Sequence, residues 1–322
     1  MPLIEPATHG PAQSAPPSTG YAFGVLLDGA FPVPHVAPPG ASPIGRRVTI
    51  EPSSADALER RWRTDGVESV VERRYPDGRP FMLIHRHEQL GYRIWAPRYG
   101  RYEVAGDGRR ITCAIPARTS RWQRLFFAQP LPLAAALQGV ELFHASAVAL
   151  DGHAIAFVAP SGTGKTSIAA HLVSRGAGLV TDDVLALEAT ADGILAHPGM
   201  GILCVDEDEL ERTRGPVGSV VGRSDKLHVS APLTREPIPL KAVFYLERST
   251  SPGEIEIRPT TTSEPQLLLG SSFIAYLRAP QYLLDHLEFC AHAARTVPTF
   301  RLVIPPGVGA ADVATLLEGQ FA

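Results

Sequence analysis

A chain of 322 residues with 44% hydrophobic and 20% charged side chains has ordinary globular values and enough material for one large core or two modest ones. Its formal charge of -3 argues against a protein that holds nucleic acid through its phosphates, so no nucleic-acid partner is expected. Three scattered cysteines, no basic-then-apolar leader and no run of 18 apolar residues argue against a disulfide scaffold, a zinc site and a membrane span, and predict a soluble, cytoplasmic protein.

Residues 1 to 20 are rich in Pro, Ala, Ser and Gly and read as a disordered tail. From 21 to 118 short runs punctuated by Pro, Gly and Asp predict strands at Tyr21 to Leu27, Arg47 to Ile50, Ser69 to Arg74, Phe81 to His85, Tyr92 to Ala96, Arg101 to Val104 and Arg110 to Ile115. One helix, from Ser54 as N-cap to Trp62, interrupts them. The expectation is an N-terminal α+β module built on an antiparallel sheet.

A second domain is expected over 119 to 322. Ser120 to Leu137 has helical spacing, broken into two pieces by Pro130 and Pro132. Leu142 to Leu150 and Ala154 to Val158 flank Asp151-Gly152 as a hairpin, a helix covers Ser167 to Arg175, and Gly178 to Thr181 is a strand ending in Asp182-Asp183. A second hairpin joins Val184 to Glu188 and Ile194 to Ala196. A strand at Gly201 to Val205 then leads to an acidic helix at Asp206 to Arg212. Residues 213 to 226, with three glycines and three basic side chains, read as a mobile loop of the kind that closes over a ligand. Strands at Lys241 to Leu246 and Glu256 to Pro259, helices at about 263 to 278 and 281 to 295, a strand at Phe300 to Ile304 and a helix at Ala310 to Glu318 complete the chain.

The informative stretch is Ala159-Pro160-Ser161-Gly162-Thr163-Gly164-Lys165-Thr166, between an apolar strand and an amphipathic helix. It matches the phosphate-cradling pattern G-x-x-x-x-G-K-[ST] except for Ala159 at its first position. Gly162 and Gly164 let backbone N–H groups turn inward around an anion, and the helix N-terminus at Ser167 adds its dipole. In such a cradle Lys165 reaches the β- and γ-phosphates of a nucleotide and the Thr166 hydroxyl joins the shell of Mg²⁺.

Phosphoryl transfer to a hydroxyl also needs a metal-holding carboxylate, a carboxylate to take the proton, and positive charge. Asp182 and Asp183 end a strand 17 and 18 residues after Lys165, a spacing that brings the second strand's end beside the first. Neighbouring residues there point different ways, which suits a division of labour, although Asp-Asp also caps turns. The hairpin brings His144 near residues 159 to 161, where an imidazole can donate to phosphate or pair with an aspartate, or simply sit buried and satisfied. In the 213 to 226 loop, Arg223 and Lys226 are candidates for charge stabilisation, with a solvated basic loop as the alternative.

The run from 142 to 183, LFHASAVALDGHAIAFVAPSGTGKTSIAAHLVSRGAGLVTDD, resembles the catalytic domain of the HPr kinase/phosphorylase family. More narrowly, it resembles the related kinases found near genes for lasso peptides. The shared order is a His before a hairpin, the cradle, a helix and an Asp-Asp pair. The resemblance implies a P-loop domain of mixed sheet and flanking helices, like that of phosphoenolpyruvate carboxykinase. It also implies that Lys165 and Thr166 hold nucleotide and Mg²⁺, that His144 orients or charge-balances the phosphate, that Asp182 is the general base, and that Asp183 is the carboxylate near the metal.

Three readings follow. The first is an ATP- and Mg²⁺-dependent kinase acting on a serine- or threonine-type hydroxyl of a peptide or protein, with an oligomer compatible. The second keeps the chemistry and makes the acceptor a small hydroxylated metabolite. The third is a nucleotide-binding regulator without catalysis, for which a proton-accepting aspartate has no use.

Overall fold

The computed structural model describes residues 18–29, 33–39, 45–116, 121–213, 215, 217–260 and 265–321. The predicted tail therefore lies almost wholly outside the described residues.

The first sheet uses β1 (Ser18–Ala22), β2 (Val25–Gly29), β3 (Arg47–Pro52), β4 (Glu68–Arg74), β5 (Pro80–His87), β6 (Gly91–Ala96), β7 (Gly100–Val104) and β8 (Arg110–Ala114), with α1 (Ala55–Arg61) after β3. Ser54 caps α1 as predicted, accepting from the Ala57 N–H at 3.1 Å. The strand order is β1-β2-β3-β8-β7-β6-β5-β4. Two features correct the sequence reading. Tyr21 to Leu27 is two strands folded back at Phe23-Gly24, both with positive φ, the backbone of a two-residue hairpin turn. The sheet is mixed, because β2, β3 and β8 run parallel; long connections carry the chain between these partners and leave no hairpin signal in the sequence.

Two short helices, α2 (Arg121–Ala128) and α3 (Pro130–Leu137), cover this sheet. Pro130 and Pro132 both stand in the first turn of α3, where no intrahelical N–H is needed, so the break falls just before Pro130. Trp122, Leu125, Phe126 and Phe127 share a core with Val48, Ile84, Ile94, Tyr102 and Ile111. Phe126 is fully buried with its ring 5.8 Å from Trp122 and 5.6 Å from Phe127. Replacing it by Ala is expected to cost about 3–5 kcal/mol, read as a lowered midpoint in urea denaturation at unchanged slope.

The remaining elements, in chain order, are β9 (Glu141–Phe143), β10 (Ala145–Leu150), β11 (His153–Val158), α4 (Lys165–Val173), β12 (Gly178–Thr181), β13 (Leu185–Thr190), β14 (Gly193–His197), β15 (Ile202–Val205), α5 (Glu207–Glu211), β16 (Val220–Arg223), β17 (Leu227–Ser230), β18 (Ile238–Arg248), β19 (Glu256–Pro259), α6 (Pro265–Leu269), α7 (Pro280–Thr296), β20 (Thr299–Ile304) and α8 (Ala310–Phe321). The central sheet runs β12-β10-β11-β18-β14-β13-β9, with β20 beside β18 and β19 on β20. Residues of α4 and α8, such as Ile168, Leu172, Val313 and Leu317, pack with Phe157 and Phe244 in one core; Leu268, Phe289 and Ala293 of α6 and α7 pack with Ala156 and Tyr245 in another. The fold is thus mixed α/β.

Three expectations for this half need correction. β12 does not lie beside β11: β10 sits between them, antiparallel to both, so the ends of β11 and β12 still face the same way but one strand apart. Residues 220 to 223, expected in a mobile loop, form β16 and pair antiparallel with β17, while Val217, Leu227 and Val229 reach the core. The helix expected at about 263 to 278 stops at Leu269, before Gly270. Beyond it the chain pairs with the end of β9, where Ser271 O accepts from His144 N at 2.6 Å and Phe273 N donates to Leu142 O at 2.9 Å.

Candidate functional site

The loop between β11 and α4 opens at the end of the central sheet where β12 also finishes. Gly164 takes φ 116° as the N-cap of α4 and Gly162 takes φ 83°, backbone that a Cβ would strain and that turns N–H groups toward the helix N-terminus. The loop is braced from behind by Arg248, which donates to Thr163 O and Val308 O, each at 3.2 Å. Nothing in the sequence pattern marked Arg248, since it comes from β18, 83 residues beyond Lys165.

Lys165 is 6% exposed. Its ammonium donates to Ala159 O at 2.7 Å, to Pro160 O at 3.4 Å and to His144 Nε2 at 3.3 Å. Burial pulls its pKa down, and the Asp183 and Asp182 charges oppose that shift. His144 bridges to the acids: Nδ1 lies 3.2 Å from the Asp183 carbonyl oxygen. A carbonyl only accepts and an ammonium only donates, so these partners assign the neutral tautomer with its proton on Nδ1. Burial first and the Lys165 charge second lower the His144 pKa, which keeps the ring neutral.

The two aspartates divide as their neighbouring positions imply. Asp182 is buried: Oδ1 accepts from Ser146 Oγ at 2.6 Å and Thr166 Oγ1 at 2.9 Å, and Oδ2 accepts from Cys204 N at 3.1 Å. Its pKa is nevertheless pushed up to about 6, by burial and then by Asp183. Asp183 is exposed, with φ 67°. The Thr166 hydroxyl therefore bonds to Asp182, not to Asp183, the acid paired with it in the sequence reading. Ser146 was also missed, although its spacing two residues after His144 signals it; the intervening β10 brings it against Asp182. The acidic oxygens of Asp182 and Asp183 and the Cys204 Sγ lie within 4.8 Å of one another, so this group can hold a metal ion. Burial, first, and the two aspartate charges push the Cys204 thiol up to about 12.

His144, Ser161, Gly162, Gly164, Lys165, Thr166, Ser167, Asp182 and Asp183 all line one cleft with a cavity volume of about 370 Å³. Lys226 lines it too, while bonded to Asp206 at 3.4 Å. Thr163 turns its hydroxyl back to Pro160 O at 3.0 Å and is not among the lining residues. Arg223 does not line the cleft either; it pairs with Glu207 at 2.7 Å. Phe23, from the β1–β2 turn, comes from outside the domain expected over 119 to 322, and Arg124 of α2 comes from its border. Phe23 is a bulky residue at φ 52°, held there by a bond from its N–H to Pro198 O at 2.8 Å, and such strain collects at functional sites.

No protein-family model matches the chain, and no curated protein matches it. Among solved structures it is similar to the Hpr(Ser) kinase/phosphatase from Coxiella burnetii, with a TM-score of 0.31 and 12% identity, over 56% of this chain and 92% of that one. Among the described residues no helix is long and apolar enough to cross a membrane.

Proposed function

We propose that the chain is an ATP- and Mg²⁺-dependent kinase that transfers the γ-phosphoryl group to a serine- or threonine-type hydroxyl of a peptide or protein. The observation that carries this reading is the convergence of Lys165, the Thr166–Asp182 pair, Asp183 and His144 on one open cleft. Each answers one requirement of phosphoryl transfer to a hydroxyl.

Thr166 and Asp182 fit Mg²⁺. Their oxygens are 2.9 Å apart, and two adjacent ligands of an octahedral ion bound at about 2.0–2.1 Å stand about 2.9 Å from each other. The Thr166 hydroxyl gives its one proton to Asp182 and keeps its lone pairs for a cation. When bound there, the ion would neutralise charge on the phosphates. This inverts the roles that the family resemblance implies: Asp182 belongs with the metal and Asp183 is the general base. Asp183 is the acid with an exposed carboxylate at the cleft, so it can take the acceptor's proton. Lys165 supplies positive charge to the phosphates, and His144 holds both the Lys165 ammonium and the Asp183 backbone in register.

Incubating the protein with ATP, Mg²⁺ and hydroxyl-bearing peptides is expected to raise the mass of one of them by about 80 Da per phosphoryl group. ATP that stays bound and unhydrolysed with every peptide and metabolite offered would defeat the reading and leave a nucleotide-binding regulator. A mass gain confined to small hydroxylated compounds would move the acceptor to that class.

A further inference from the structure

We propose that Arg124 is a phosphate-gripping cation of this cleft, held in reserve by Asp225 until the anion enters. The proposal rests on the reading of the cleft as a triphosphate site.

The argument begins with α2. Trp122, Leu125, Phe126 and Phe127 are buried in the first core, so the helix is fixed in space. Arg124, Phe127 and Ala128, three and four residues apart and therefore on one helical face, line the cleft. Arg124 thus stands on a rigid element, and a preorganised cation loses little entropy when it binds.

Charge balance calls for it. The lining includes Asp182, Asp183, Asp206 and Asp225 against Lys165, Lys226 and Arg124, and a triphosphate adds several negative charges. Lys165 is occupied by two carbonyls and His144, and Lys226 by Asp206. Arg124 has a single described carboxylate partner, Asp225 Oδ1 at 3.3 Å, with side-chain exposures of 46% and 73%. Asp225 is already satisfied in part by Ser224 Oγ at 2.6 Å. An exposed, long ion pair is weak, whereas a guanidinium fork matches two phosphate oxygens at once. Entry of a phosphate therefore draws Arg124 from Asp225.

The test exploits the fact that Arg124→Gln and Asp225→Asn both break the same ion pair. A purely structural pair predicts that both variants shift ligand binding in the same direction. The proposal predicts opposite signs in calorimetric titrations with inorganic triphosphate and with ATP, each in Mg²⁺. Arg124→Gln weakens binding by about tenfold or more, the scale of one charge-assisted hydrogen bond, and Arg124→Lys recovers part of it. Asp225→Asn tightens binding about two- to fivefold, the scale of one exposed ion pair. That gain vanishes in the Arg124→Gln/Asp225→Asn double variant, because it acts through Arg124. Binding by Arg124→Gln within twofold of the parent overturns the proposal, as does a gain that survives in the double variant. A parent protein that takes up neither ligand removes the triphosphate reading itself, and this proposal with it.

Discussion

Lys165→Ala is expected to lower phosphoryl transfer by about a hundredfold to a thousandfold, the range seen when one preorganised donor is removed from a reacting centre, and to weaken nucleotide binding as well. The reason lies in what the ammonium touches. It is fastened by two loop carbonyls and by His144, inside a site where burial makes charge costly and the two aspartates sustain it. Truncation leaves Ala159 O and His144 Nε2 without their donor, so the loop loses shape as well as charge. Lys165→Arg is not expected to rescue it, because a wide planar fork cannot replace a point charge whose three donors are spread over three acceptors. ADP release and ATP titration, measured on both variants beside the parent, check this. Parent-like turnover in Lys165→Ala would show that the phosphates lie elsewhere.

The parts of the site legible in the sequence are those separated by one turn, one helix or one hairpin. The Asp151-Gly152 turn fixes His144 opposite the start of the loop, and the glycines fix the loop itself. The spacing from Lys165 to Asp182 was enough to bring the strand ends to one side even though the neighbouring strand was misassigned. What stayed hidden depends on pairings between distant segments. Ser146 touches Asp182 because β10 inserts between β11 and β12; Cys204 N reaches the same carboxylate across 22 residues; Arg248 braces Thr163 from β18. Phe23 and Arg124 come from parts read as a separate module or its border, and no local periodicity encodes their approach. The same limit explains β16: Val220 and Val221 are exposed and its ladder to β17 carries a register shift, so neither an alternating pattern nor a regular hairpin was there to find. Gly270 ended α6 for a tertiary reason, because residues 271 and 273 pair with the backbone at His144 and Leu142.

The two acids should separate cleanly by mutation. Asp183→Asn is expected to lower transfer by about a hundredfold or more, the usual worth of a general base, while ATP binding and Mg²⁺ binding persist. Asp182→Asn keeps an acceptor for the Ser146 and Thr166 hydroxyls but gives up the anion, so it should lose the response to Mg²⁺. The pH dependence supplies an independent check. The folded pKa of Asp182, about 6, lies above the ordinary 3.8, so the folded state holds this proton more tightly. That contribution to stability is fully present below about pH 4 and is lost as pH rises through about 6, a difference of about 3 kcal/mol. Mg²⁺ binds the ionised form and stabilises the fold in proportion to its occupancy. Thermal unfolding with and without Mg²⁺ should therefore show a metal-induced rise at pH 7.5 that fades toward pH 5 in the parent and in Asp183→Asn, and that is missing at every pH in Asp182→Asn. If Asp183→Asn instead loses the Mg²⁺ response and Asp182→Asn keeps it, the metal carboxylate is Asp183 and the base is Asp182, because only the acid that holds the ion can make that rise depend on its own charge.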